Sequence, residues 1–245
     1  MAQPILPPLE LSRIQALLFD IDGTLSDSDD LMVEEVYTLL KPFKALKDPK
    51  KVARDLVYWL EKPGNWILAL LDSLGLDGLL AKVLDGWANV VSNKSLRLED
   101  FPVIPGILPM LDRLRGQYPM AIVSTRNGVT IGNFLRANEL DRYFTVVIHS
   151  QSLRRTKPSP DPLLRAAEVL GVDLGDCLMI GDTVADVRAA LAAGAYSVSV
   201  LCGFGREQEL SKAGTHAVLT STADLADFLL GEKTCLSSET EQLNA

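Results

Sequence analysis

An apolar stretch that stops at two carboxylates constrains this chain more than any other feature: residues 17–25 read LLFDIDGTL. Unbroken apolar residues over a strand's length fit a parallel strand buried on both faces. Gly23 then lets the chain turn sharply after the acids. Alternation along a strand sends neighbouring side chains to opposite faces, so Asp20 and Asp22 share a side only if the pleat persists that far. In open α/β sheets ligands sit beyond the carboxyl ends of the strands, which is where both acids fall. A strand that merely ends at a polar turn reads the same way, so later stretches must decide.

Those stretches alternate. Beyond residue 102 the pattern predicts strands over 120–123, 144–148, 177–180, 197–201 and 217–219. Helices are predicted over 107–117, 129–138, 160–170, 184–193 and 225–230. Leu108, Leu111 and Leu114 would share one side of the first helix, Ser159 or Asp161 would cap the third, and Gly171 and Gly194 would stop the third and fourth. Strands alternating with helices imply a parallel sheet covered on both faces. Between the first strand and the rest, residues 29–93 show helical spacing with no strand signal, through Leu31, Val36, Leu39, Leu40 and Phe43. Asp48-Pro49 reads as an N-cap followed by proline at the first helical position, opening a helix that would bury Val52, Leu56, Trp59 and Leu60. Trp66, Leu70, Leu80, Leu84 and Trp87 belong to two further helical patches. The predicted class is therefore α/β, a Rossmann-like parallel-sheet core made of residues 1–27 and 103–231. An all-helical cap is inserted at 28–102, and 232–245 forms a polar tail.

Composition narrows the partners. With 245 residues, 47% of them hydrophobic, the chain can bury one good core plus a smaller appendage. A formal charge of −8 argues against a broad basic footprint for nucleic acid or an anionic membrane. Cys177, Cys202 and Cys235 form neither a disulfide framework nor a zinc pattern, and two histidines, His149 and His216, leave little for an imidazole-based site. The amino terminus lacks a cationic region before an apolar stretch, and no later segment is apolar for about 18 residues. The expectation is a soluble cytoplasmic protein, monomeric by default.

Three more strand ends carry polar residues. Ser124 follows AIV, Asp182 follows LMIG, and Lys157 stands in TKPSPDP ahead of a helix. Parallel strands bring their carboxyl ends to one edge, so these groups can meet Asp20 and Asp22. Thr183-x-x-Asp186 fits a capping box, which puts Asp182 at a helix mouth and Asp186 in its first turn. Such an oxygen-rich cluster suits Mg²⁺, which accepts few protein carboxylates beside water and substrate phosphate. Lys157 and the metal would supply positive charge for an anionic substrate.

In order and spacing, FDIDGT, AIVS, TKPSPDP and MIGDTVAD resemble the four motifs of the haloacid dehalogenase-like phosphatase superfamily. The resemblance covers residues 16–219, and the position of the insert resembles the subclass with an α-helical cap. It implies that Asp20 is a nucleophile forming an aspartyl phosphate and that Asp22 is the general acid and base. Ser124 and Lys157 would hold the phosphoryl group, with the backbone amides after Asp20 and after Ser124, the latter that of Thr125, as further donors. Mg²⁺ would be held by the Asp20 side chain, the Asp22 backbone carbonyl and Asp182, with Asp186 acting through water. An acid two residues past the nucleophile favours phosphate esters over carbon–halogen or carbon–phosphorus bonds. The implied activity is hydrolysis of a small phosphorylated metabolite, as in phosphoglycolate phosphatases. The alternatives are a sugar phosphomutase of β-phosphoglucomutase type and, from another class, a non-catalytic phosphate- or partner-binding module. Arg126 departs from the pattern, standing where many relatives carry a small or amide residue; it would bind an anionic substrate group or pair with a surface acid. Trp66 and Trp87 would be aromatic walls of the site or simply cap core.

Overall fold

The structure, a computed structural model, describes residues 8–27, 33, 37–38, 48–54 and 102–231. Six parallel strands form one sheet: β1 (Ala16–Phe19), β2 (Met120–Val123), β3 (Val146–Ile148), β4 (Cys177–Gly181), β5 (Tyr196–Val200) and β6 (Ala217–Leu219). Their order is β3-β2-β1-β4-β5-β6, so β1 lies centrally and the winding reverses between β1 and β4. The chemistry of the sequence requires this. Every residue of β1 is buried, and alternation splits it between two cores, Leu17 and Phe19 on one face and Ala16 and Leu18 on the other.

Helices α1 (Ile107–Leu114), α2 (Gly128–Ala137) and α6 (Leu225–Leu230) cover the first face through Ile107, Met110, Ile131, Phe134 and Leu225. Helices α3 (Asp161–Leu170) and α4 (Val184–Ala193) cover the second through Leu163, Ala166, Ala189 and Ala190. The small side chains of α4 let it lie close on the sheet. One further helix, α5 (Glu207–Ala213), has no counterpart in the predicted elements, because Leu210 is its only buried residue and one apolar contact makes no periodicity.

Other departures have local causes. The apolar run at 17–25 is a strand only to Phe19; Ile21 O then accepts the amides of Thr24, Leu25 and Ser26, folding the chain into a tight turn with Gly23 at φ 65°. The pleat therefore does not carry Asp20 and Asp22 to a common side, and the turn decides where each points. Neither Ser159 nor Asp161 caps α3: Pro160 occupies the N-cap without a side-chain bond, and Ser159 Oγ accepts the Asp161 amide only at 3.5 Å. Leu108 is 37% exposed, off the stripe of Ile107, Met110, Leu111 and Leu114.

The segment between residues 27 and 102 leaves and returns at one place. Asp27 N–H donates to Pro102 O at 2.9 Å, and Ser26 bridges Val103 antiparallel. Within it, Asp48 Oδ1 accepts the Lys51 amide at 3.0 Å and residues 49–54 are helical, as the Asp48-Pro49 signature predicts. Val52, expected inside, is 38% exposed, and its neighbour Ala53 is buried against Val33, Tyr37 and Phe204 instead. Leu31, Val36, Leu39, Leu40, Phe43, Leu56, Trp59, Leu60, Trp66, Leu70, Leu80, Leu84 and Trp87 lie outside the described residues, as do Cys235 and the tail at 232–245. Among the described residues, no helix is long and apolar enough to cross a membrane.

Candidate active site

Strand ends β1, β2 and β4 and the turn before α3 meet at the carboxyl edge of the sheet, where the winding reverses. Asp20 follows β1 directly and keeps the ladder for one more residue, its amide donating to Ile180 O at 2.9 Å. Its carboxylate is buried beside Lys157, whose Nζ lies 2.9 Å from Asp20 Oδ1 and 2.6 Å from Asp186 Oδ1. The lysine side chain is only 3% exposed. It follows that its charge serves these two acids rather than solvent.

Asp186 is fixed from its other oxygen. Thr183 caps α4, its hydroxyl accepting the Asp186 amide, while Asp186 Oδ2 accepts the Thr183 amide at 3.0 Å and the Thr183 hydroxyl at 2.5 Å. The predicted capping box is present, and it orients a site acid. Asp182, at the end of β4, is held differently: Oδ2 accepts the Phe204 amide at 3.1 Å, and Oδ1 faces Thr24 Oγ1 at 3.5 Å. Glycine is needed around it. A Cβ on Gly23 would stand 2.6 Å from Asp182 Oδ2, and one on Gly203 would overlap the same carboxylate.

Ser124 is buried just past β2, its amide on Ile148 O at 3.0 Å and its Oγ accepting the Arg126 amide at 3.2 Å. Thr125 beside it is exposed. Asp22 stands apart from the acid cluster: its Oδ2 pairs with Arg126 Nε at 2.6 Å. Arg126 thus does pair with an acid, but that acid belongs to the predicted site rather than to the outer surface.

The electrostatics follow from the burial. Desolvation pushes the Asp20 carboxyl up to about 7; the charges of Asp186 and Asp22 add to the rise, and Lys157 opposes it. For Lys157, burial disfavours the ammonium, but Asp186 and Asp20 together outweigh it and hold the pKa above its ordinary value. Asp20, Asp182 and Asp186 each offer a carboxylate oxygen, all within 4.8 Å of one another. Three carboxylates and one ammonium leave two formal negative charges in a buried space, which a divalent, oxygen-seeking cation balances. The residues present therefore fit a divalent metal.

Sequence reasoning missed the hold on Asp182. Phe204 contributes a backbone amide, which no side-chain motif announces; the glycines of CGFG were its only trace.

A doubly wound parallel sheet with a buried acid–lysine–acid cluster at its switch point defines an α/β core with an ionic site where such sheets bind their ligands. The chain belongs to the haloacid dehalogenase-like hydrolase family, whose model matches residues 17–200. It is 31% identical over 210 residues to a phosphoglycolate phosphatase of Neisseria gonorrhoeae, covering 84% of this chain and 87% of that protein. A phosphoglycolate phosphatase of Neisseria meningitidis is 30% identical over 207 residues, covering 82% and 86%. Among solved structures, a HAD family hydrolase from Deinococcus radiodurans, crystallised with bound phosphate and sodium, superposes with a TM-score of 0.71 at 26% identity. It covers 89% of this chain and 96% of that one.

Proposed function

We propose that the chain is a Mg²⁺-dependent phosphatase that hydrolyses a small phosphorylated metabolite of the phosphoglycolate or sugar phosphate kind through an aspartyl phosphate. The observation that carries this is the buried Asp20 carboxylate, sharing Lys157 with Asp186 and close enough to feel the charge of Asp22, which Arg126 holds separately. The two relatives named phosphoglycolate phosphatase support the substrate class.

In this reading an Asp20 oxygen bonds to phosphorus while the ester P–O bond breaks, and the departing oxygen takes its proton from Asp22. Asp22, now a carboxylate, removes a proton from water, whose oxygen bonds to phosphorus as the Asp20 O–P bond breaks. Inorganic phosphate leaves and both carboxyl groups return to their starting states. Ser124 Oγ and the amides of Ile21 and Thr125 hydrogen-bond the phosphate oxygens. Lys157 offsets charge on the transferring group and keeps Asp20 apart from its acidic neighbours. Mg²⁺, held by Asp20, Asp182, the Asp22 backbone carbonyl and, through water, Asp186, would supply Lewis-acid stabilisation of the developing charge. Residues 28–102 act as a helical cap that selects the ester, and the enzyme works as a cytoplasmic monomer.

Phosphate release tests this, measured from 2-phosphoglycolate, hexose 1- and 6-phosphates, nucleoside monophosphates and pyrophosphate, with Mg²⁺ and with EDTA, beside Asp20→Asn. One preferred ester, lost with EDTA and with Asp20→Asn, supports the proposal. Conversion of hexose 1-phosphate to 6-phosphate under a bisphosphate primer, without release, replaces it with a mutase. Silence in both assays points to a binding module.

A further inference from the structure

Arg126 touches two groups of the site at once. Its amide donates to Ser124 Oγ at 3.2 Å, and its side chain holds Asp22 Oδ2 at 2.6 Å. Its own carbonyl accepts the Ser150 amide at 2.9 Å, so the backbone carrying the guanidinium is fixed on both sides of the residue. The other oxygen of the acid, Asp22 Oδ1, is buried and has no hydrogen-bond partner among the described residues. A carboxylate gripped through one oxygen cannot rotate freely, so the position of the second oxygen is fixed with it.

We infer that Arg126 is a positioning residue: it fixes Asp22 Oδ2 so that Oδ1 faces the leaving oxygen of the ester, and through the same loop it sets Ser124 for the phosphate. This rests on the phosphatase reading above. An exposed ion pair would contribute little, but here each side chain keeps only 25% of its surface exposed. Lys157 cannot substitute, since its ammonium is already shared between Asp20 and Asp186. A planar guanidinium bonding through Nε also fixes orientation in a way an ammonium does not.

A residue that aims a proton donor matters in proportion to how much the leaving group needs the proton. The test compares Arg126→Ala and Arg126→Lys with the parent on p-nitrophenyl phosphate, whose nitrophenolate departs unprotonated, and on the preferred alkyl phosphate. In the Ala variant kcat falls about 100-fold on the alkyl ester, the lower end of what general acid catalysis supplies. On p-nitrophenyl phosphate it falls less than about fivefold, with KM nearly unchanged on both. Added guanidinium at millimolar concentration restores part of the alkyl-ester rate, and the Lys variant falls between. Equal losses on both esters overturn the inference, as does a loss confined to KM for esters carrying a carboxylate, which would make Arg126 a substrate-anion contact. Should Arg126→Ala lose its far-ultraviolet circular dichroism, the comparison is read from Arg126→Lys. A parent that releases phosphate from neither ester refutes the phosphatase reading, and this inference with it. A parent active on both with leaving-group-independent losses refutes this inference alone.

Discussion

At the scale of single residues, the site stores its reactivity as unfavourable burial. Asp20 is held at about 7, above the ordinary carboxyl value of 3.8, so the folded state retains a proton that the unfolded chain gives up. The consequence has a definite sign: its contribution to stability is present below about pH 4 and is lost as pH rises through about 7. Asp20→Asn, which removes the charge, is expected to abolish phosphate release yet raise the melting temperature of the metal-free protein at pH 8 and leave it nearly unchanged at pH 4. Melting curves in EDTA at both values check this; a variant that melts lower than the parent at pH 8 would contradict it. Asp20, Ser124, Lys157, Asp182 and Asp186 were each legible in the sequence, because residues at strand ends must share an edge once the strands are parallel. The Asp22–Arg126 pair was not legible, since its partners stand 104 positions apart and no spacing rule links a turn after one strand to a loop after another.

At the scale of elements, helix termini carry the site. The box around Thr183 both starts α4 and orients Asp186, so Thr183→Ala is expected to lower stability by about 1 kcal/mol, the usual worth of an N-cap, while Thr183→Ser keeps it. Equilibrium urea unfolding of both variants reads the difference. At the far edge of the sheet, His216 Nδ1 accepts the Ser197 amide at 3.1 Å, and burial holds its pKa below the ordinary 6.5. The unfolded chain then binds the proton first. This contribution is complete above pH 6.5 and fades as pH falls below it, opposite in direction to that of Asp20. Melting temperature of the parent minus that of His216→Phe should therefore shrink between pH 7 and pH 5; a constant difference would show that His216 carries no pH dependence. Helices with several buried apolar residues, such as α1 and α4, were visible as spacing. Helix α5, with Leu210 alone inside, was not.

For the whole molecule, two cores on either side of one sheet fix the relative positions of segments far apart in sequence, Asp20 and Asp186 among them. A cation that binds only the assembled site must stabilise the entire fold. Mg²⁺ at about a hundredfold over its Kd should add about 2.7 kcal/mol, and the melting temperature should climb with the logarithm of its concentration. The rise should vanish in Asp182→Asn. A melting temperature indifferent to Mg²⁺ in the parent would remove the metal from the proposal.

The sequence by itself determined the α/β class, the parallel sheet, most element positions and the acids and lysine of the site, because hydrophobic period and strand-end chemistry are local and repeat along the chain. Only the tertiary structure decided which way each carboxylate faces. Asp20 and Asp186 turn to Lys157, Asp182 to the Phe204 amide, and Asp22 to Arg126. Those choices depend on a tight turn at Gly23, on backbone amides that every residue type carries, and on which loops the sheet order sets side by side. The turn is legible in its glycine, but the amides and the loop neighbours leave neither a period nor a motif, which is why the residues could be found in the sequence but not their pairings.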